Sequence, residues 1–275
     1  MGTERFGVRT KAGEAALAAI LADPAGVVIA SDFDGTLSPI VSDPAAAYVH
    51  PDAPAALIEL ARVVAGVVIV TGRPAEQAIA LGSPPGGGPG LADVPGLVVL
   101  GQYGVERWEN GRVTAPPPPP GVDRVRAALP GLAAEFPGAR VEDKGRALAL
   151  HTRGCADPQA ALDALRDPVA KLAAETGLVV EPGRLVLELR PPGMDKGQAL
   201  QAFLAERSAR SVLFAGDDLG DLAAFDAVHS GGVPGIAVCS GSAEVTALLD
   251  KADIIVEGPA GVVTLLRTLA GELAG

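Results

Sequence analysis

Cysteine is nearly absent: the 275-residue chain has two, Cys155 and Cys239, far apart and in no metal-ligand spacing. Both read as reduced thiols of a cytoplasmic protein. Lysine is scarce too, occurring only as Lys11, Lys144, Lys171, Lys196 and Lys251, and the formal net charge is −11 with a pI near 4.7. With no basic run to offset it, such a surface repels a phosphate backbone, so a nucleic-acid partner is not expected. No apolar run approaches the ~20 residues that span a bilayer. The N-terminal Ala/Leu run is ended by Asp23-Pro24 before it could serve as a signal. A cytoplasmic location without a membrane partner is the expectation, and a monomer suffices. There is no internal repeat.

What is present is material for a packed interior: 48% hydrophobic against 20% charged residues. The length exceeds the usual domain of about 100–200 residues, which favours two modules. Short apolar runs bounded by turn residues recur at Val27–Ala30, Val67–Val70, Leu97–Leu100, Val212–Ala215, Ile236–Val238 and Ile254–Val256. They read as buried strands. Helix-like stretches at Ala53–Val64, Lys196–Glu206 and Ala243–Leu249 alternate with them. That alternation predicts an α/β fold with a parallel sheet covered on both faces, which binds ligands at the carboxyl ends of its strands.

Five prolines at Pro116–Pro120 break the rhythm and open an inserted module. The expected division is a core of residues 1–115 and 191–275 with a smaller α/β cap over 116–190. Within the cap, Arg184-Leu185-Val186-Leu187-Glu188-Leu189-Arg190 alternates, so Arg184, Glu188 and Arg190 are expected on one strand face and three leucines on the other. Leu148 and Leu150 likewise oppose His151 and Arg153.

Chemistry gathers at the predicted strand ends. Val27–Ile29 lead into Asp32-Phe33-Asp34-Gly35-Thr36, two carboxylates two residues apart. Such a pair can simply cap a turn. After an apolar strand it also suits phosphoryl transfer, with Asp32 as nucleophile and metal ligand and Asp34 as acid and base. An anion attacking an anion requires a divalent ion. Val67–Val70 lead to Thr71-Gly72-Arg73, where a hydroxyl and backbone amides can hold phosphate oxygens. Lys196 opens a helix-like segment and can neutralise both nucleophile and phosphoryl group. Gly216-Asp217-Asp218-Leu219-Gly220-Asp221 is an oxygen-only donor set suited to Mg²⁺ rather than zinc.

In this order the four elements resemble the signatures of the haloacid dehalogenase superfamily of phosphatases. The resemblance implies a Rossmann-like core and places Thr71 and Lys196 on the phosphate. It implies Asp32, the Asp34 carbonyl and Asp217 around Mg²⁺, with Asp218 and Asp221 positioning waters or the lysine. Gly101-Gln102-Tyr103-Gly104-Val105-Glu106, Val141–Gly145, His151-Thr152-Arg153 and Gly183–Pro191 look more narrowly like trehalose-phosphatase segments. That likeness implies that Glu142, Lys144, Arg153, Arg184 and Glu188 grip sugar hydroxyls or phosphate, with Gly72 and Arg73 also on the substrate. The chain departs from the family's pattern with Arg184 in place of a lysine, and with Gly220-Asp221-Leu222 in place of Thr-Asp-Glu.

The implied activity is hydrolysis of trehalose 6-phosphate through an aspartyl-phosphate. Rivals are a sister phosphatase acting on sucrose 6-phosphate or a glucosyl- or mannosyl-glycerate phosphate, and a silent sugar-phosphate sensor. The complete set Asp32, Asp34, Lys196 and Asp217 argues against the sensor.

Overall fold

The computed structural model describes residues 3–193, 195–241 and 248–274. The chain runs through α1 (Lys11–Ala22), β1 (Val27–Ser31), α2 (Ala53–Ala61), β2 (Gly66–Val70), α3 (Ala75–Leu81), β3 (Val98–Gly101), β4 (Glu106–Glu109) and β5 (Arg112–Thr114). It continues with α4 (Pro120–Ala134), β6 (Arg140–Asp143), β7 (Leu148–His151), α5 (Pro158–Thr176), β8 (Val179–Gly183) and β9 (Val186–Arg190). It closes with α6 (Lys196–Glu206), β10 (Ser211–Gly216), α7 (Leu222–Ser230), β11 (Gly235–Gly241), β12 (Ile254–Glu257) and α8 (Gly258–Leu273). Two compact units result, residues 1–115 with 195–275, and residues 116–194.

The larger unit is built on an eight-stranded sheet of order β12-β11-β10-β1-β2-β3-β4-β5. It is parallel from β12 to β3. The last two strands are antiparallel, a hairpin over Glu106–Thr114 that the apolar runs did not announce because it carries four charged residues. Central strands are apolar except for Ser31 and Ser211 at their ends, because both faces are covered. Val27 and Ile29 of β1 point into a cluster with α1, α2, α3 and α8, while Val28 and Ala30 point into a second cluster with α6 and α7. Fully burying such a side chain contributes roughly 1.5–3 kcal/mol, which makes this strand a rigid base for Asp32 and Asp34 just beyond its end. The fold is thus the mixed α/β, mainly parallel arrangement expected. Among the described residues no helix is long and apolar enough to cross a membrane.

The smaller unit is a four-stranded antiparallel sheet of order β6-β7-β9-β8. One face packs on α4 and α5 through Leu148, Leu150, Leu187 and Leu189. The unit holds ten acidic and ten basic residues, so the chain's whole net charge of −11 lies on the larger unit.

Two expectations change. Alternation in the last strand of the insert holds only over Val186–Arg190: Arg184 and Leu185 form the hairpin turn before it, with Leu185 at φ 58. A tight turn needs left-handed backbone, so Arg184 is not on the strand face with Glu188. Arg153 likewise lies beyond the end of β7 rather than on it. The expected helix Ala243–Leu249 falls mostly outside the described residues.

Candidate active site

β1 is flanked by β10 and β2, with Ser31 in register with Ala215 on one side and Ile69 on the other. The residues immediately after these three strands, Asp32, Asp217 and Thr71, therefore leave the same edge of the sheet. Asp32 extends the ladder by donating its N–H to the Ala215 carbonyl at 2.8 Å. Asp195 caps α6 by accepting from the Gln198 N–H at 2.8 Å, which makes Lys196 the first helical residue.

Lys196 ties the site together. Its Nζ lies 2.9 Å from Asp32 Oδ1 and 2.8 Å from Asp221 Oδ1, and all three side chains are buried. Asp32, Asp217 and Asp221 each offer a carboxylate oxygen within 4.8 Å of the others. The second Asp221 oxygen accepts from the N–H groups of Asp217 (3.0 Å) and Asp218 (3.2 Å), which fixes the turn after β10. Gly35, at φ 69, permits the approach of Asp217, since a Cβ there would overlap its carboxylate.

Three buried carboxylates face one ammonium. Burial pushes Asp32 well above the usual carboxylate range, Lys196 pulls it back, and Asp221 and Asp217 push it further up. Burial raises Asp217 to about 8, helped by Asp221 and Asp218. Burial alone would lower Lys196, yet Asp221 and Asp32 hold it well above its ordinary value. An excess of buried negative charge on oxygen donors alone is the environment of a hard divalent cation.

Asp34 stands apart from this triad. Arg73 Nε donates to Asp34 Oδ2 and Nη2 to Oδ1, both at 2.6 Å, while the guanidinium lies 5.7 Å from the Phe33 ring centroid. Arg73 is buried and Asp34 is partly open. Thr71 is buried, and its Oγ1 accepts from the Arg73 N–H at 3.1 Å, closing the turn around Gly72.

In the smaller unit Lys144 Nζ pairs with Glu188 Oε2 at 2.6 Å, and Glu142 Oε2 with His151 Nε2 at 2.9 Å. Glu188 is buried, and its Oε1 has no hydrogen-bond partner among the described residues. Arg153 and Arg184 are exposed.

Motif reading passed over Thr36, whose hydroxyl reaches Asp217 at 3.5 Å, and Ser240, which donates to the Gly35 carbonyl at 2.7 Å. Thr36 stands inside the aspartate motif, but its partner Asp217 is 181 residues away along the chain, so the motif alone does not reveal the contact. Ser240 lies two residues past the expected strand Ile236–Val238, in no motif, and the pairing of β10 and β11 brings it near.

The model of the family described as trehalose-phosphatase matches residues 30–254, which include every aspartate of the site. The chain belongs to the trehalose-phosphatase family. A Sinorhizobium fredii protein named "Probable trehalose-phosphate phosphatase" is 34% identical over 221 residues, 79% of either chain. The Escherichia coli protein named trehalose-6-phosphate phosphatase is 29% identical over 220 residues, 78% of either chain. The C-terminal domain of C. albicans trehalose-6-phosphate phosphatase shares the fold with a TM-score of 0.74 at 21% identity, covering 97% of this chain and 98% of that one. A haloacid dehalogenase-like hydrolase from Bacteroides thetaiotaomicron shares the fold with a TM-score of 0.60 at 16% identity, covering 87% of this chain and 98% of that one. Membership of the trehalose-phosphatase family implies a divalent metal ion, and the Asp32, Asp217 and Asp221 cluster is the acidic group that fits one.

Proposed function

We propose that this protein is a Mg²⁺-dependent phosphatase that hydrolyses trehalose 6-phosphate through a covalent aspartyl-phosphate on Asp32. The observation that carries this reading is the placement of the Asp32 carboxylate in one buried cluster with Asp217, Asp221 and Lys196. When bound by Asp32, Asp217 and the Asp34 carbonyl, Mg²⁺ supplies the positive charge that lets an anionic nucleophile approach a phosphate.

Lys196 occupies Oδ1 of Asp32, which leaves Oδ2 for the attack. The Oδ2–P bond forms as the bond from phosphorus to the sugar oxygen breaks, and that oxygen takes a proton from Asp34. The carboxylate left on Asp34 is the form that Arg73 holds. It then accepts a proton from the water that attacks phosphorus, the Asp32–P bond breaks, and phosphate leaves. Thr71 and the amides of Gly72 and Arg73 hold the non-bridging oxygens. Lys196 and Arg73 offset part of the site's own negative charge, and a bound Mg²⁺ would supply the rest that an anionic substrate requires.

Glu142, Lys144, Arg153, Arg184 and Glu188 serve the sugar. A phosphate group alone offers a carboxylate nothing to bind, whereas the Glu188 oxygen that has no partner among the described residues is an acceptor suited to a hydroxyl. The test is phosphate release from trehalose 6-phosphate, glucose 6-phosphate and sucrose 6-phosphate, with and without Mg²⁺. Preference for the first, dependent on Mg²⁺, is expected. Preference for sucrose 6-phosphate or glucose 6-phosphate would assign another substrate, and binding of the sugar phosphate without release would make the protein a sensor.

A further inference from the structure

Gln102 and Tyr103 lie in the left-handed region at φ 47 and 59, followed by Gly104 at φ 96. Two successive non-glycine residues there are uncommon, and such backbone persists only where its surroundings over-determine it. The surroundings here are the turn that carries Thr71 and Arg73. The Gln102 N–H donates to the Arg73 carbonyl at 2.9 Å and the Tyr103 N–H to the Thr71 carbonyl at 3.0 Å. From the strand side, the Thr71 N–H donates to the Leu100 carbonyl at 3.0 Å. The turn is thus bonded to one short segment at both of its ends.

Glu106 completes the arrangement. Pro74 stands at the N-cap of α3 and offers that helix no side-chain acceptor. Glu106 Oε2, reaching across from β4, accepts from the Ala75 N–H at 2.8 Å, and Oε1 accepts from Gln102 Nε2 at 2.8 Å. A carboxylate there also complements the positive end of the helix. Gly101 lets this happen, because a Cβ on it would meet the Ala75 nitrogen at 2.5 Å. Tyr103 packs against Gly72, where a Cβ would lie 3.0 Å from the tyrosine hydroxyl.

We infer that Gln102 and Glu106 are positioning residues: with the strained backbone between them they form a brace that fixes the Thr71–Ala75 turn, and through Arg73 they aim the carboxylate of Asp34. Neither side chain needs to touch substrate. The brace contributes preorganisation, and a shift of about 1 Å far from the reacting atoms can lower a rate on the order of 10²-fold. The inference rests on the phosphatase reading above, since it treats Asp34 as the group that moves the proton.

The experiment compares wild type, Gln102→Ala and the near-isosteric Glu106→Gln in kcat and KM for trehalose 6-phosphate at saturating Mg²⁺. Melting temperature and amide hydrogen exchange over residues 71–76 are measured on the same samples. Both variants are expected to melt within a few degrees of wild type, to exchange faster over that turn, and to lose about tenfold or more in kcat with KM changed less than about threefold. Unchanged exchange overturns the brace. Faster exchange with unchanged kcat overturns its role in aiming Asp34, as does a loss of activity that only tracks a loss of folded protein. A wild-type protein that releases phosphate from no sugar phosphate is a separate result: it overturns the functional reading, and the inference falls with it.

Discussion

Arg73 grips Asp34 with two parallel hydrogen bonds of 2.6 Å, one from Nε and one from Nη2. The guanidinium is buried over Phe33 while the carboxylate it holds is partly open, so the buried cation is the fixed support and the carboxylate is the group it orients. This planar fork orients both carboxylate oxygens at once, which a point charge does not. Arg73→Ala is expected to lower kcat on the order of 10²-fold, and Arg73→Lys by less, because lysine keeps the charge and loses the fork. Steady-state kinetics of the two variants checks the order.

Lys196 is the sole cation that contacts Asp32 and Asp221 among the described residues. Replacing it by methionine keeps the volume and leaves the two buried carboxylates facing each other. Breaking a buried pair in this way destabilises by about 3–5 kcal/mol. Urea unfolding of Lys196→Met should show a loss of that order in metal-free buffer, with turnover reduced on the order of 10²–10³-fold. Wild-type stability in the variant would mean that the ammonium is not neutralising the cluster.

Stability without metal should depend on pH in an unusual direction. Asp217 titrates near 3.8 in an unfolded chain and at about 8 in the folded one, chiefly through burial. A carboxyl group raised on folding binds its proton more tightly in the native state, so its contribution is complete below about pH 4 and is lost as pH rises to about 8. In EDTA, the gap in urea midpoint between wild type and Asp217→Asn should therefore widen against wild type between pH 5 and pH 8. Adding Mg²⁺ at pH 8 should restore wild type and leave the variant unmoved, since a ligand stabilises only the state that binds it.

Gly35→Ala places a methyl group against the Asp217 carboxylate at a residue whose φ is 69. Displacing Asp217 weakens the acidic cluster, so the concentration of Mg²⁺ needed for half-maximal activity should rise at least about tenfold. A Mg²⁺ titration of activity decides it.

The candidate site was legible in the sequence where its residues directly follow a buried strand. Val27–Ile29, Val67–Val70 and Val212–Ala215 are apolar on both faces, so their ends could be located and the polar residues after them named. The helix-like segment beginning at Lys196 was equally legible, and the structure shows Asp195 capping it. Arg184 was read onto a strand because Leu185, Leu187 and Leu189 alternate; nothing in that pattern reveals that Leu185 takes a left-handed turn conformation. Gln102 and Glu106 lay inside a motif that was seen without its purpose. Their work is done by hydrogen bonds to Arg73 and Ala75, about thirty residues away along the chain, and only the pairing of β2, β3 and β4 brings those partners together.

Covalent attachment of phosphorus to Asp32 can be tested by quenching the enzyme during turnover of trehalose 6-phosphate, reducing acyl phosphates with borohydride and sequencing the peptides by mass spectrometry. Homoserine in place of aspartate at position 32, absent when substrate is omitted, is the expected result. Continued turnover with Asp32 unmodified, together with near-normal activity in Asp32→Asn, would contradict it.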